Sequence, residues 1–299
     1  MAFAAGGRLA AAVSDAGGLG FVGGGYGNKD WIDAQLEIAD PSTVGVGFIT
    51  WSVARTPELL DDILGHQPRA IFLSFGDPRE LAPRIKKAGT PLFCQVQSRE
   101  DAEVAIEAGA DVIVAQGSEA GGHGDTRGTF TLVPEIADLL AASSPETLLC
   151  AAGGIADGRG LAAALVLGAD GVLVGSRLWA TPEATVSNAM HAAALASTGD
   201  ATIRTSVADI VRELDWPERF TARVLRNRFT DIWHGDEARL RNADPAVGRD
   251  WVEGWADGDP ERSNTFTGEA VGLIHTIEPT GAVLEQMSSQ ATRLLRRSG

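Results

Sequence analysis

The sequence predicts an α/β fold, a (β/α)8 TIM barrel, because short apolar runs alternate with helix-like segments through its first 200 residues. The runs are mostly apolar and rich in β-branched residues, as expected for parallel strands buried on both faces. The last three runs end in glycine or in glycine-rich sequence. Three such strand ends in a row indicate one ligand held above the carboxyl rim of the barrel.

Seven runs are predicted as strands, one fewer than a closed barrel of this type needs. They lie at 19–23, 44–50, 70–75, 91–96, 111–116, 147–152 and 171–175. The helix-like segments between and after them lie at 30–39, 57–65, 79–88, 99–108, 132–142, 157–167 and 183–196. A further helix, about residues 7–16, precedes the first run. Residues 1–5 are too few and too rich in alanine to supply a strand, so we expect the barrel to lack its usual first strand.

The alternation stops after about residue 200. We predict a barrel domain at 1–203 and a small helical addition near the barrel mouth at 204–269. The last segment, 270–299, is predicted to carry an amphipathic helix near 280–297 that packs on the barrel.

Composition and charge exclude several classes of partner. The formal net charge of −15 argues against nucleic acid and against an anionic membrane surface. The sequence holds no apolar run of about 18 residues and no signal-peptide pattern at its start, so a cytoplasmic protein is expected. Cys94 and Cys150 lie in apolar runs and are predicted to be free thiols, and no Cys/His spacing matches a metal site.

The longest loop on the predicted rim carries a histidine. Strand starts fall 20 to 26 residues apart except before the sixth, where the loop 119–130 lengthens the interval to 36 residues. His123 lies there among glycines, and histidine is well suited to moving protons near neutral pH. We predict a catalytic role, with a solvated loop histidine as the simpler alternative. Asp125 and Glu119 lie close enough in sequence to orient the ring, but Glu119 is better explained as a loop cap.

Glycines also end the sixth and seventh runs. If one strand is missing upstream, Gly153, Gly154, Gly175 and Ser176 lie after strands seven and eight, where such barrels commonly bind phosphate through backbone N–H groups. Ordinary turns between strand and helix are the alternative. Gln116 ends the fifth run, and its carboxamide can both donate to and accept from the edge of a heterocycle.

Aromatic residues follow the first and third runs. Tyr26, the only tyrosine, comes directly after Gly23, Gly24 and Gly25, and Phe75 ends the third run. Both residues are candidates to line the barrel mouth, with simple packing at the rim as the alternative.

Five segments of the chain resemble the nitronate monooxygenases, formerly called 2-nitropropane dioxygenases. The segments are LGFVGGGY (19–26), LSFGDP (73–78), AQGSEAGGHGD (115–125), AAGGIADGRG (151–160) and GVLVGSR (171–177). The likeness is close over about residues 8–200. The EAGGH element is specific to the superfamily but does not distinguish its members. Flavin-dependent enoyl-acyl-carrier-protein reductases and NADH:quinone reductases of the same superfamily are similar there.

The resemblance implies an FMN-binding barrel at 1–203 without a metal. By position, it places the family's active-site histidine at His123. Its flavin contacts fall on Gln116, Gly121, Gly153, Gly154, Gly175 and Ser176. Two features of the family are missing here. One is the Pro-Met-containing flavin loop after the family's opening strand. The other is the asparagine on the family's second strand, which is replaced near Gly47.

The implied reaction is FMN-dependent oxidation of an alkyl nitronate or nitroalkane by dioxygen to a carbonyl compound and nitrite. The expected partners are therefore a small-molecule substrate and dioxygen. Two alternatives stay open at this point. One is reduction of an enoyl thioester or a quinone by NAD(P)H in the same superfamily, although no dinucleotide-binding fingerprint is evident. The other is a non-catalytic barrel whose flavin site has degenerated.

Overall fold

A computed structural model describes residues 3–296. Seven parallel strands form one curled sheet in the order β1-β2-β3-β4-β5-β7-β8. Their bounds are β1 Phe21–Gly25, β2 Gly45–Ile49, β3 Ala70–Ser74, β4 Leu92–Val96, β5 Val112–Gln116, β7 Leu148–Ala152 and β8 Gly171–Leu173. All seven predicted strands are present. The predicted barrel fold is confirmed, and its sheet is curled, has seven strands and is not closed.

The helices between these strands lie close to the predicted segments. They are α1 Gly7–Asp15, α2 Lys29–Ile38, α3 Thr50–Val53, α4 Pro57–Gly65, α5 Ala82–Lys87, α6 Arg99–Ala108, α7 Thr129–Ser143, α8 Gly158–Val166, α9 Ser176–Trp179 and α10 Asn188–Leu195. Local sequence fixes their ends. For example, Ser98 caps α6 by accepting from Asp101 N, and Gly109 ends it with φ +74°.

The sheet is open between β1 and β8, which do not pair with each other. Residues 3–6 form no strand. Nevertheless, Ala5 O accepts from Gly23 N at 2.8 Å and Ala4 O accepts from Thr185 N at 3.0 Å. These two bonds bridge the opening without forming a strand. No strand precedes β1 in residues 3–20, so the expectation of a missing first strand is confirmed there, while Met1 and Ala2 lie outside the described residues. We refer to this opening as the seam.

Apolar packing fills both faces of the sheet. Phe21, Phe72 and Phe93 meet inside the curl, with ring centroids 5.2–6.5 Å apart. Outside it, the C-terminal helix α15 (Thr280–Leu295) packs on α8 and α1, the helices that flank the seam. The approach of α15 to α8 requires Gly158, where a Cβ would lie 2.5 Å from Ala291 N. The C-terminal helix was predicted, and residues 297–299 of its segment lie outside the described part.

The addition after residue 200 contains a small sheet as well as helices. Three antiparallel strands, β6 (Gly122–Gly124), β10 (Thr221–Leu225) and β9 (Thr202–Thr205), lie in that order. The helices are α11 Val207–Val211, α12 Arg228–Trp233, α13 Glu237–Arg241 and α14 Pro245–Asp257. The predicted helical addition thus also carries two strands, and one of them, β10, pairs with β6 of the rim loop. Over residues 3–296, no helix is long and apolar enough to cross a membrane.

Candidate active site

His123 lies on β6, in the long loop that follows β5. Its strand pairs with β10, and His123 is opposite Ala222. Gln116 Nε2 donates to the His123 carbonyl at 3.1 Å, which ties the loop to the end of β5. Gly122 allows the tight entry into this strand, since its φ is +71°. The His123 backbone is thus held by the pairing with β10 and by the Gln116 side chain.

The His123 ring is paired with a buried carboxylate. Its Nε2 lies 2.9 and 3.0 Å from the two oxygens of Asp209, a residue of α11 that is 3% exposed. Arg212 Nη2 donates to the same carboxylate at 2.8 Å. A buried carboxylate requires such charged partners, because desolvation without them is costly. His123, Asp209 and Arg212 therefore form one connected group.

Neither acid near His123 in sequence contacts its ring. Glu119 instead accepts from the Thr129 backbone N and hydroxyl at 2.9–3.1 Å, which confirms its interpretation as a loop cap. Asp125 accepts from Arg219 Nε at 3.0 Å. The ring is oriented by Asp209, which lies 86 residues further along the chain.

Burial lowers the pKa of His123 below its ordinary value, although the hydrogen bond and charge of Asp209 act in the opposite direction. The ring is therefore neutral near pH 7. A neutral ring that faces a carboxylate through Nε2 must carry its hydrogen there, so the lone pair lies on Nδ1. Across residues 3–296, no protein group hydrogen-bonds to Nδ1. This nitrogen can accept a proton from a ligand.

Gln116 lies at the centre of a carboxamide network. Its Oε1 accepts from Gln95 Nε2 at 3.0 Å and from Gln97 Nε2 at 2.9 Å, while its Nε2 donates to the His123 carbonyl. One N–H of Gln116 remains for a ligand. The side chain thus positions the histidine loop, and its flavin contact stays a prediction.

The structure brings together the four residues predicted to bind phosphate. Gly153 and Gly154 follow β7 with φ of +101° and +75°, and Gly175 and Ser176 follow the neighbouring strand β8. A Cβ at Gly175 would meet no atom within 4 Å, so this backbone borders open space. Ser176 Oγ accepts from Gly268 N at 2.8 Å and keeps its own hydrogen for donation. We call these four residues the glycine cradle.

Gly121 lies against the segment that reaches the cradle. A Cβ at this position would lie 2.5 Å from Gly268 N and from the carbonyl carbon of Thr267, so only glycine fits. The same segment, residues 267–269, also contacts the loop that follows β5, since Glu269 N donates to Glu119 O at 2.9 Å. The structure thus gives Gly121 a packing role, and its flavin contact stays a prediction.

Sequence reasoning missed Asp209, Arg212 and Trp216, all from the segment between β9 and β10. Trp216 stacks on the His123 ring, with centroids 3.5 Å apart and planes inclined by 5°. The only signal in the sequence was the abundance of tryptophan and aspartate in a segment expected to cover the barrel mouth.

Fold and site together define an α/β-barrel enzyme whose buried His123–Asp209 pair lies on the carboxyl rim. The sequence profile of the family described as nitronate monooxygenase matches residues 49–289. The chain belongs to this family, and it is an oxidoreductase.

Individual relatives cover nearly the whole chain. Nitronate monooxygenase npaC of Metarhizium robertsii is 36% identical, over 96% of this chain and 88% of its own. Among solved structures, FabK from Thermotoga maritima superimposes with a TM-score of 0.84 at 28% identity, covering 99% of this chain and 92% of its own. Nitroalkane oxidase from Streptomyces ansochromogenes gives 0.81 at 25% identity, covering 99% and 95%.

Proposed function

We propose that the chain oxidises alkyl nitronates, or their parent nitroalkanes, with dioxygen to carbonyl compounds and nitrite, and that it uses noncovalently bound FMN. Membership of the nitronate monooxygenase family supports the reaction class. The observation that carries the proposal is the His123–Asp209 pair, which leaves one ring nitrogen free beside the glycine-rich rim. Such a nitrogen can take a proton from a carbon acid, and once protonated it can donate a hydrogen bond to the resulting anion.

The glycine cradle fits an FMN phosphate. Backbone N–H groups of Gly153, Gly154 and Gly175 can approach phosphate oxygens closely because no side chain intervenes, and the Ser176 hydroxyl can donate as well. The open space at Gly175 is the room that such a group needs. Bound FMN would supply the electron transfer between the nitronate and dioxygen.

His123 would act through Nδ1. With a neutral nitroalkane, Nδ1 takes the α-proton, and the resulting imidazolium is stabilised by the Asp209 carboxylate. The new N–H then donates to the nitro group of the nitronate, which holds the anion in place. A preformed nitronate needs only this second role, so it binds best to the protonated ring.

One experiment separates this reaction from the reductase alternatives. The purified chain with FMN should release nitrite and consume dioxygen when ethyl nitronate is added, and it should not oxidise NADH when an enoyl thioester or a quinone is supplied. NADH oxidation without nitrite would replace the proposal by a reductase function. A colourless chain that binds no FMN would indicate a non-catalytic barrel.

Placement of the phosphate is tested by Gly175→Val. Gly175 has φ −99° and ψ −84°, so valine carries no positive-φ penalty there but some strain from ψ. We expect FMN binding to be abolished, because the side chain would fill the space of the phosphate. FMN content is measured from visible absorbance after desalting. Gly65→Val is the matched control. A Cβ added at Gly65 also meets no atom within 4 Å, but Gly65 lies at the end of α4, away from the cradle. Full FMN content in Gly175→Val would contradict this placement.

A further inference from the structure

Five aromatic side chains gather at the barrel mouth beside His123. Tyr26 and Phe75 follow β1 and β3, Trp51 belongs to α3, and Trp216 and Phe220 come from the segment before β10. Their rings meet edge to face or tilted, with neighbouring centroids 5.1–6.3 Å apart. We call this group the mouth aromatics.

Trp216 joins the mouth aromatics to the histidine. Its indole covers one face of the His123 ring at 3.5 Å, and its Nε1 donates to the Tyr26 hydroxyl at 3.0 Å. Because Nε2 of His123 is taken by Asp209, a ligand must reach the ring at Nδ1, along the edge of this stack. The part of a substrate that extends away from its nitro group therefore contacts the Trp216 ring or displaces that ring from the face of His123.

Each cation near the mouth aromatics has a carboxylate partner, although one pair is long and exposed. Arg55 lies over the Trp51 ring at 5.0 Å, and its Nη2 is 3.8 Å from Asp215. Arg212 donates to Asp209 and to the Ala208 carbonyl, and it lies against the Tyr26 ring at 5.9 Å. Arg219 donates to Asp101 and to Asp125. A second carboxylate on the substrate would have to compete with these acids for a cation, and it would lie near the charge of Asp209. Burial of an unpaired charge is strongly unfavourable.

We infer that the mouth aromatics bind the hydrocarbon part of the substrate, so that the preferred substrates are nitronates with uncharged apolar or aromatic substituents. Carboxylated nitronates such as propionate 3-nitronate are then poor substrates. The inference rests on the proposed function. Aromatic rings favour this selection because they bury large apolar area and stack on flat groups. Trp216 is the main specificity-determining residue, because it stacks on the His123 ring and also meets the other mouth aromatics edge to face.

The test compares kcat/KM for nitrite release from the nitronates of nitroethane and 1-nitro-2-phenylethane and from propionate 3-nitronate. The wild-type chain should prefer the phenyl nitronate over propionate 3-nitronate by about tenfold or more. Trp216→Ala should reduce that ratio about tenfold, and Trp216→Phe should retain part of it. Trp255→Phe is the matched control, because Trp255 stacks on Trp251 in α14 and should leave the ratio unchanged.

Each other outcome has a definite meaning. Equal or higher kcat/KM for propionate 3-nitronate in the wild-type chain overturns the inference while leaving the proposed function intact, and it does so without any variant. Loss of FMN from Trp216→Ala at an unchanged substrate ratio assigns the mouth aromatics to the flavin and also overturns it. Failure of all three nitronates to release nitrite rejects the proposed function and the inference with it.

Discussion

His123→Ala is expected to slow the oxidation of neutral nitroalkanes by about 10²–10⁴-fold, the usual contribution of a general base. FMN content should not change, because the glycine cradle lies on other strand ends. The effect on preformed nitronates should be smaller, since they need no proton removal. Nitrite release is measured for nitroethane and for its nitronate at equal FMN occupancy.

His123→Asn separates the two roles of the ring. A carboxamide can donate a hydrogen bond to an anionic nitro group but cannot take the α-proton. We expect Asn to recover part of the nitronate activity and little of the nitroalkane activity. Rates equal to wild type for His123→Ala on both substrates would reduce His123 to a loop residue.

Asp209→Asn is expected to produce the second largest effect. Asp209 raises the pKa of His123 against the larger effect of burial, so its removal lowers that pKa further and weakens the base. A neighbouring opposite charge changes a pKa by about one to three, and the rate of a general base follows only part of that change, so kcat/KM for nitroalkanes should fall roughly 3- to 10²-fold. Asparagine is nearly isosteric, so the fold around α11 should persist.

The pH profile distinguishes this effect from a structural one. In the wild-type chain, nitroalkane activity needs the neutral ring and is lost as pH falls through the lowered pKa of His123. In Asp209→Asn that loss should move to still lower pH, and ¹⁵N NMR of the ring should report the same displacement. Asp125→Asn is the control, because its carboxylate lies on the same loop but pairs with Arg219. An unchanged pH profile in Asp209→Asn would remove Asp209 from the mechanism.

The fold was predictable because its signals are local. Each parallel strand is a short apolar run, and helix ends are marked by residues such as Ser98 and Gly109. The position of His123 on the rim followed from the one long interval between strands. The likeness to nitronate monooxygenases, first seen in five segments, was confirmed over most of the chain.

The surroundings of His123 were not predictable because they depend on contacts between distant segments. Asp209 lies 86 residues from the histidine, and its local sequence carries no motif. The strand β6 is the tripeptide Gly-His-Gly, which has neither alternation nor β-branched residues, and it exists only because β10 pairs with it. Trp216 likewise reaches the ring by tertiary packing alone.

The helix α15 has a consequence for how the molecule assembles. It packs on α1 and α8, so segments from opposite ends of the chain meet across the seam. Contacts between residues so far apart in sequence carry a high loop-closure entropy and slow folding. The strands from β1 to β8 pair mainly with their neighbours in sequence and can form as the chain emerges from the ribosome. The outer cover of the seam must wait for α15, so it forms only after all seven strands of the sheet have been synthesised.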